Sequence, residues 1–125
     1  VYSFGRNTYG QLGLGNTEDY NSPQLISSLK DVAFIECGRW YAFCKTKNNE
    51  TFCWGFNESG QLGLGNTNTQ NTPILCLSLS NEDVVDIKCR WEHTLVLTLN
   101  GDVLSCGDNG YGQLGRISIY SPSFQ

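Results

Sequence analysis

Methionine is absent, histidine occurs once, and charged residues make up only 16% of the chain, below the usual share of roughly a quarter. No run of Lys or Arg exists, and the formal net charge is −4. A protein that grips a phosphate backbone needs a basic stripe, so no direct nucleic-acid partner is expected. No stretch approaches the roughly 18 apolar residues of a membrane span, and no charged-then-apolar secretory start is visible, so no membrane partner is expected either. Cys-x-x-Cys is missing although six cysteines are present. With a single His beside them, a zinc site is not expected. Helical periodicity of useful length is missing throughout. The chain opens mid-pattern at Val1-Tyr2-Ser3-Phe4-Gly5, without Met, and reads as a piece of something longer.

What is there is a repeat. Gly10-Gln11-Leu12-Gly13 returns as Gly60-Gln61-Leu62-Gly63 and as Gly112-Gln113-Leu114-Gly115. The segments starting at Gly5, Gly55 and Gly107 precede them in register, at spacings of 50 and 52 residues. A fixed period of this size means stacked copies of one supersecondary unit. One unit cannot bury its own apolar face, so its neighbours must cover it.

The second full copy shows the unit. Val84–Cys89 alternates, with Val85, Ile87 and Cys89 expected on one face, as in a half-buried strand. Arg90-Trp91-Glu92 makes a short loop, and Thr94–Leu99 a second strand. Asn100-Gly101 closes a hairpin, expected as a type I′ turn with positive φ at both central residues. Asp102–Cys106 is the third strand. The first copy runs in parallel over Ala33–Cys37, Ala42–Thr46 and Thr51–Trp54. Pro23 and Pro73 open candidate fourth strands at an edge, where a missing N–H is tolerated. Four short antiparallel strands per roughly 50 residues make a propeller blade. The expected fold is therefore all-β: a partial β-propeller over 1–125, with a partial blade at 1–30, a full repeat at 31–82 and a repeat with an irregular end at 83–125.

The Gly-Gln-Leu-Gly segment has a structural logic. Its glycines allow backbone angles and close approaches that a Cβ would block. Its leucines can plug the gap between blades, and its glutamine amide can satisfy loop backbone. The cysteines fall in repeat slots: Cys37 matches Cys89, Cys44 matches Val96, and Cys106 matches Trp54. They read as reduced, buried small hydrophobes, which favours an intracellular protein, cytoplasmic with the nucleus as an alternative.

Trp54-Gly55-Phe56-Asn57-Glu58-Ser59-Gly60-Gln61-Leu62-Gly63-Leu64-Gly65, with Cys89-Arg90-Trp91-Glu92-His93-Thr94 and the return to Cys106-Gly107, resembles the signature of the regulator of chromosome condensation repeat. The resemblance spans essentially the whole chain and implies a seven-bladed propeller parent. It also implies that His93 is structural, bridging loop backbone within its blade. Departures are visible. The usual Gly-x-x-His reads Gly38-Arg39-Trp40-Tyr41 in one copy and Arg90-Trp91-Glu92-His93 in the other. The third Gly-Gln-Leu-Gly runs into Arg116-Ile117 and lacks the following Leu-Gly.

No catalytic constellation is found, so the chain is not expected to be an enzyme, and no cofactor is expected. A catalytic His93 would need a nucleophile or an orienting carboxylate. Connecting loops carry binding surfaces, and Trp with Arg is the usual hot-spot pair. Arg39, Trp40, Tyr41, Arg90, Trp91 and Glu92 are therefore the candidate partner-binding residues, side by side on one propeller face. The expected function is protein–protein interaction. The alternative, implied by the resemblance, is guanine-nucleotide exchange on a Ran-like small GTPase.

Overall fold

The computed structural model describes residues 1–118 and 120–125. In chain order the strands are β1 (Tyr2–Gly5), β2 (Tyr20–Leu25), β3 (Val32–Cys37), β4 (Tyr41–Thr46), β5 (Thr51–Gly55), β6 (Gln70–Leu75), β7 (Val84–Arg90), β8 (His93–Thr98), β9 (Val103–Asp108) and β10 (Tyr120–Ser121). They form a β1-β2 pair and two four-stranded meanders, β3-β4-β5-β6 and β7-β8-β9-β10. All pairings are antiparallel. The architecture is thus a run of propeller blades, part of one followed by two complete ones. The fourth strands start before their prolines. β2 and β6 open at Tyr20 and Gln70 and carry Pro23 and Pro73 within an outer edge strand.

The core lies between blades. Tyr41, Phe43, Cys53, Leu62 and Leu79 of the middle blade pack with Ile87, Cys89 and Val96 of the last one. Ile26 and Leu29 pack with Ala42, Cys44 and Trp54 at the preceding boundary. Each sheet hides its apolar face against the next, as a repeat of this period requires.

The repeated loop is what docks one blade on another. Gly10 lies against Asn71, and a Cβ there would sit 2.6 Å from the Asn71 Cα. Gly60 lies against Pro122 in the same way, at 2.4 Å from its Cα. The Gly15 N–H donates to the Asn71 carbonyl at 2.8 Å, and the Gly65 N–H to the Pro122 carbonyl at 2.7 Å. The glutamines act as expected. Gln11, Gln61 and Gln113 accept from the N–H of Tyr9, Ser59 and Tyr111 at 2.9, 3.1 and 2.9 Å.

An asparagine set organises each loop and was not read from the sequence. Asn7, Asn57 and Asn109 accept from the N–H of Leu12, Leu62 and Leu114 at 3.0, 2.9 and 2.8 Å. Their amides donate onward to the carbonyls of Asn16, Asn66 and Arg116. Each side chain ties both ends of its loop together. Its recurrence at one slot was the available signal.

Three expectations need correction. Val85 is exposed and Val84 is buried, because the β7–β8 register shifts between Val84 and Asp86. An irregularity of this kind moves side chains to the opposite face. The Asn100-Gly101 hairpin is not type I′, since only Gly101 has positive φ. Gly101 N–H donates to the Thr98 carbonyl and Thr98 N–H to the Asp102 carbonyl, a three-residue loop ending in a left-handed residue. Asn49, at φ 65°, fills the same place one blade earlier. All six cysteines are free, but Cys37 is exposed.

Candidate functional site

The candidate face is built from two hairpin tips. β3 turns into β4 through Gly38-Arg39-Trp40, and β7 into β8 through Trp91-Glu92. Gly38 N–H donates to the Tyr41 carbonyl at 2.9 Å. A Cβ on Gly38 would sit 2.1 Å from the Tyr41 ring. The departure from Gly-x-x-His is therefore matched: glycine accompanies tyrosine in one blade, and arginine accompanies histidine in the other.

The two tips are equivalent, but their tryptophans are offset by one place. The Trp40 carbonyl accepts from Phe56 N–H at 2.9 Å, and the Glu92 carbonyl accepts from Asp108 N–H at 2.8 Å. Trp40 thus corresponds to Glu92, and Arg39 to Trp91. The offset decides their exposure. Trp40 is half-buried, packed 5.0 Å from the Tyr9 ring and 5.6 Å edge-on from Phe56. Trp91 is 65% exposed and has a φ of 45°, unusual for a bulky residue.

Arg39 links the two indoles. Its Cζ lies 3.8 Å from the Trp40 ring centroid and 4.8 Å from that of Trp91, within cation–π range of both. Its backbone N–H meets the Trp91 carbonyl at 3.5 Å. Arg90 is exposed beside them, and a cleft of about 360 Å³ is lined by Cys37, Gly38, Arg39, Cys89, Arg90 and Trp91.

Two of the expected site residues serve the blade boundary. Tyr41 is buried and its hydroxyl donates to the His93 carbonyl at 2.5 Å. The Thr94 hydroxyl lies 3.0 Å from the Tyr41 hydroxyl oxygen and 2.8 Å from the Gln61 carbonyl. Burial pushes the Tyr41 phenol far above its ordinary range. Glu92 accepts from the Ser59 hydroxyl at 2.7 Å. The His93 ring does not bridge loop backbone. Among the described residues its carbonyl, not its imidazole, carries the hydrogen bond. Partial burial, and to a lesser degree Arg90, lowers its pKa against the opposing pull of Asp108.

A second cleft, about 540 Å³, is lined by Trp91, Glu92, His93, Asp108, Tyr111 and Gln113. One blade back, the corresponding space is filled by the following blade, where the Tyr41 hydroxyl meets His93 and Ser59 meets Glu92. Among the described residues no group of three or more His, Cys, Asp or Glu could hold a metal ion. Cys37 is exposed as a residue, but partial burial of its sulfur and then the Glu36 carboxylate raise its pKa, so its thiol is mostly protonated at neutral pH. No helix among the described residues is long and apolar enough to cross a membrane.

The family model for the regulator of chromosome condensation (RCC1) repeat matches residues 1–44 and 48–97, and a second model of that repeat matches 84–113. A mouse protein named probable E3 ubiquitin-protein ligase HERC4 is 43% identical over 121 residues, covering 94% of this chain and 11% of the relative. The mouse secretion-regulating guanine nucleotide exchange factor is 38% identical over 118 residues, covering 92% of this chain and 25% of the relative. The chain therefore spans a quarter or less of the length of either relative. The crystal structure of human WBSCR16 superposes with a TM-score of 0.86 at 23% identity, over 100% of this chain and 34% of that one.

Proposed function

Because the chain belongs to the regulator of chromosome condensation (RCC1) repeat family, we propose that it is a propeller segment of a larger protein that presents its hairpin-tip face to a protein partner. One observation carries the reading. The Arg39 guanidinium lies against both Trp40 and Trp91 at neighbouring hairpin tips, and Trp91 is held at an unfavourable positive φ. Strained backbone and tryptophan–arginine clusters concentrate where a surface is used. The six free thiols fit a reducing compartment, cytoplasm or nucleus.

Trp91→Ala is the clean test, since Trp91 supports little of the core. Affinity capture from a cell lysate should lose a defined set of proteins with this variant while its thermal melt stays unchanged. A capture profile identical to that of the parent chain would remove the face.

A second reading is guanine-nucleotide exchange, favoured by the relative named as an exchange factor. Nucleotide release from a panel of small GTPases tests it. Acceleration that depends on Trp91 supports exchange at this face. No acceleration, with Trp91-dependent capture retained, leaves a docking module alone.

A further inference from the structure

We infer that the Arg39–Arg90 side of Trp91 binds an acidic segment of a protein partner, with one carboxylate seated on the edge of the Arg39 guanidinium. This inference rests on the docking face proposed above and names the chemistry it recognises.

Two indoles hold Arg39. Its Cζ lies over the Trp40 ring at 3.8 Å and 4.8 Å from the Trp91 centroid, so the guanidinium sits between aromatic surfaces that limit its movement. Its N–H donors project from the edge in a fixed fork. Among the described residues that fork has no hydrogen-bond or ion-pair partner, and neither has Arg90; the ion pair seen is Lys88–Asp86 at 2.9 Å. A held guanidinium with free N–H groups loses little entropy when a carboxylate docks on it in bidentate fashion.

The surroundings select the ligand. The cleft beside Arg39 is lined by two arginines, a tryptophan, two cysteines and Gly38, with no carboxylate in its wall. Glu36 lies near enough to raise the pKa of Cys37 and Cys89 but pairs with neither arginine. The carboxylates of this rim, Glu92 and Asp108, line the separate cleft next to Trp91. Trp91 thus stands at the junction of a cationic cleft and an anionic one. A planar, singly charged carboxylate matches one oriented fork. A nucleic-acid backbone would need a cationic stripe, which a chain of net charge −4 lacks. That negative background weakens non-specific attraction of acidic chains.

Fluorescence anisotropy with a labelled peptide rich in Asp and Glu, and with its Asn/Gln counterpart, tests this on the 125-residue chain. The acidic peptide should bind at least tenfold more tightly than the amide peptide, and its affinity should fall with added salt. Arg39→Gln should weaken it about tenfold, and Arg39→Lys severalfold, because a lysine keeps the charge but loses the fork. Lys30→Gln, an exposed cation on the first blade, should leave binding unchanged. Equal binding of the two peptides, or full affinity in Arg39→Gln, would overturn the inference. The two readings separate in the capture experiment. Partners lost with Trp91→Ala but kept with Arg39→Gln would leave the face standing without this chemistry.

Discussion

The Trp54 indole N–H donates to the Gln11 carbonyl at 2.9 Å, across the boundary between two blades. Cys106, which stands where Trp54 stands one blade earlier, sends its thiol to the Gln61 carbonyl at 3.3 Å. Residues as unlike as Trp and Cys therefore perform one task. What the repeat preserves is the acceptor on the docking loop and the glycines that let the next blade approach it.

Asn57 is fully buried and makes its loop bonds to Leu62 N–H and to the Asn66 and Asn68 carbonyls at 2.9, 3.0 and 3.0 Å. Asn57→Ala leaves the buried Leu62 N–H unpaired, while the exposed Asn66 and Asn68 carbonyls can turn to water, and should cost about 1–3 kcal/mol. Urea denaturation checks this. A loss below about 0.5 kcal/mol would show that the loop closes without it.

Tyr41→Phe removes the hydroxyl that donates to the His93 carbonyl while leaving the ring in place. Thr94 can still donate to Gln61, so the expected cost is about 1–2 kcal/mol. A double-mutant cycle with Thr94→Val should show coupling between the two positions, and additive effects would deny the shared network.

The propeller architecture was legible because Gly-Gln-Leu-Gly recurs for a reason that survives any change of neighbour: a Cβ at Gly10 or Gly60 would collide with the next blade. The glutamine role was legible for the same reason, being local to the loop. Val85 was misplaced because the shift at Val84–Asp86 is a property of the β7–β8 pairing and leaves no mark on alternation. That the two hairpin tips lie side by side was legible from the repeat register. That Arg39 reaches a tryptophan 52 positions on was not, since it depends on how two blades are set beside each other.

The thiols give a pH dependence. Burial pushes Cys44 up to about 11 and Cys89 up to about 12, from an ordinary value of 9.0 in the unfolded chain. Above pH 9 the unfolded state loses these protons first, so it is favoured as pH rises. Stability is unaffected below pH 9 and is lost between 9 and the folded values, by about 1.4 kcal/mol per pH unit for each thiol in its window. Urea midpoints should fall above pH 9. In the native protein at pH 7.5 a maleimide should label Cys37, the exposed thiol, and the other five only after denaturation. A flat profile to pH 11, or rapid labelling of a buried thiol, would contradict the packing.

Mutual coverage of the blades is tested most directly by comparing Gly60→Ala with Gly65→Ala in the same loop. The two glycines have φ values of 75° and 78°, so the backbone strain of adding a Cβ is the same, about 1–2 kcal/mol. They differ in what they meet: Gly60 faces the Pro122 Cα at 2.4 Å, whereas nothing lies within 4 Å of Gly65. Urea denaturation should show Gly60→Ala costing at least about 2 kcal/mol more than Gly65→Ala, the overpacking contribution alone. Equal losses in the two variants would mean that the loop does not seat one blade on the next.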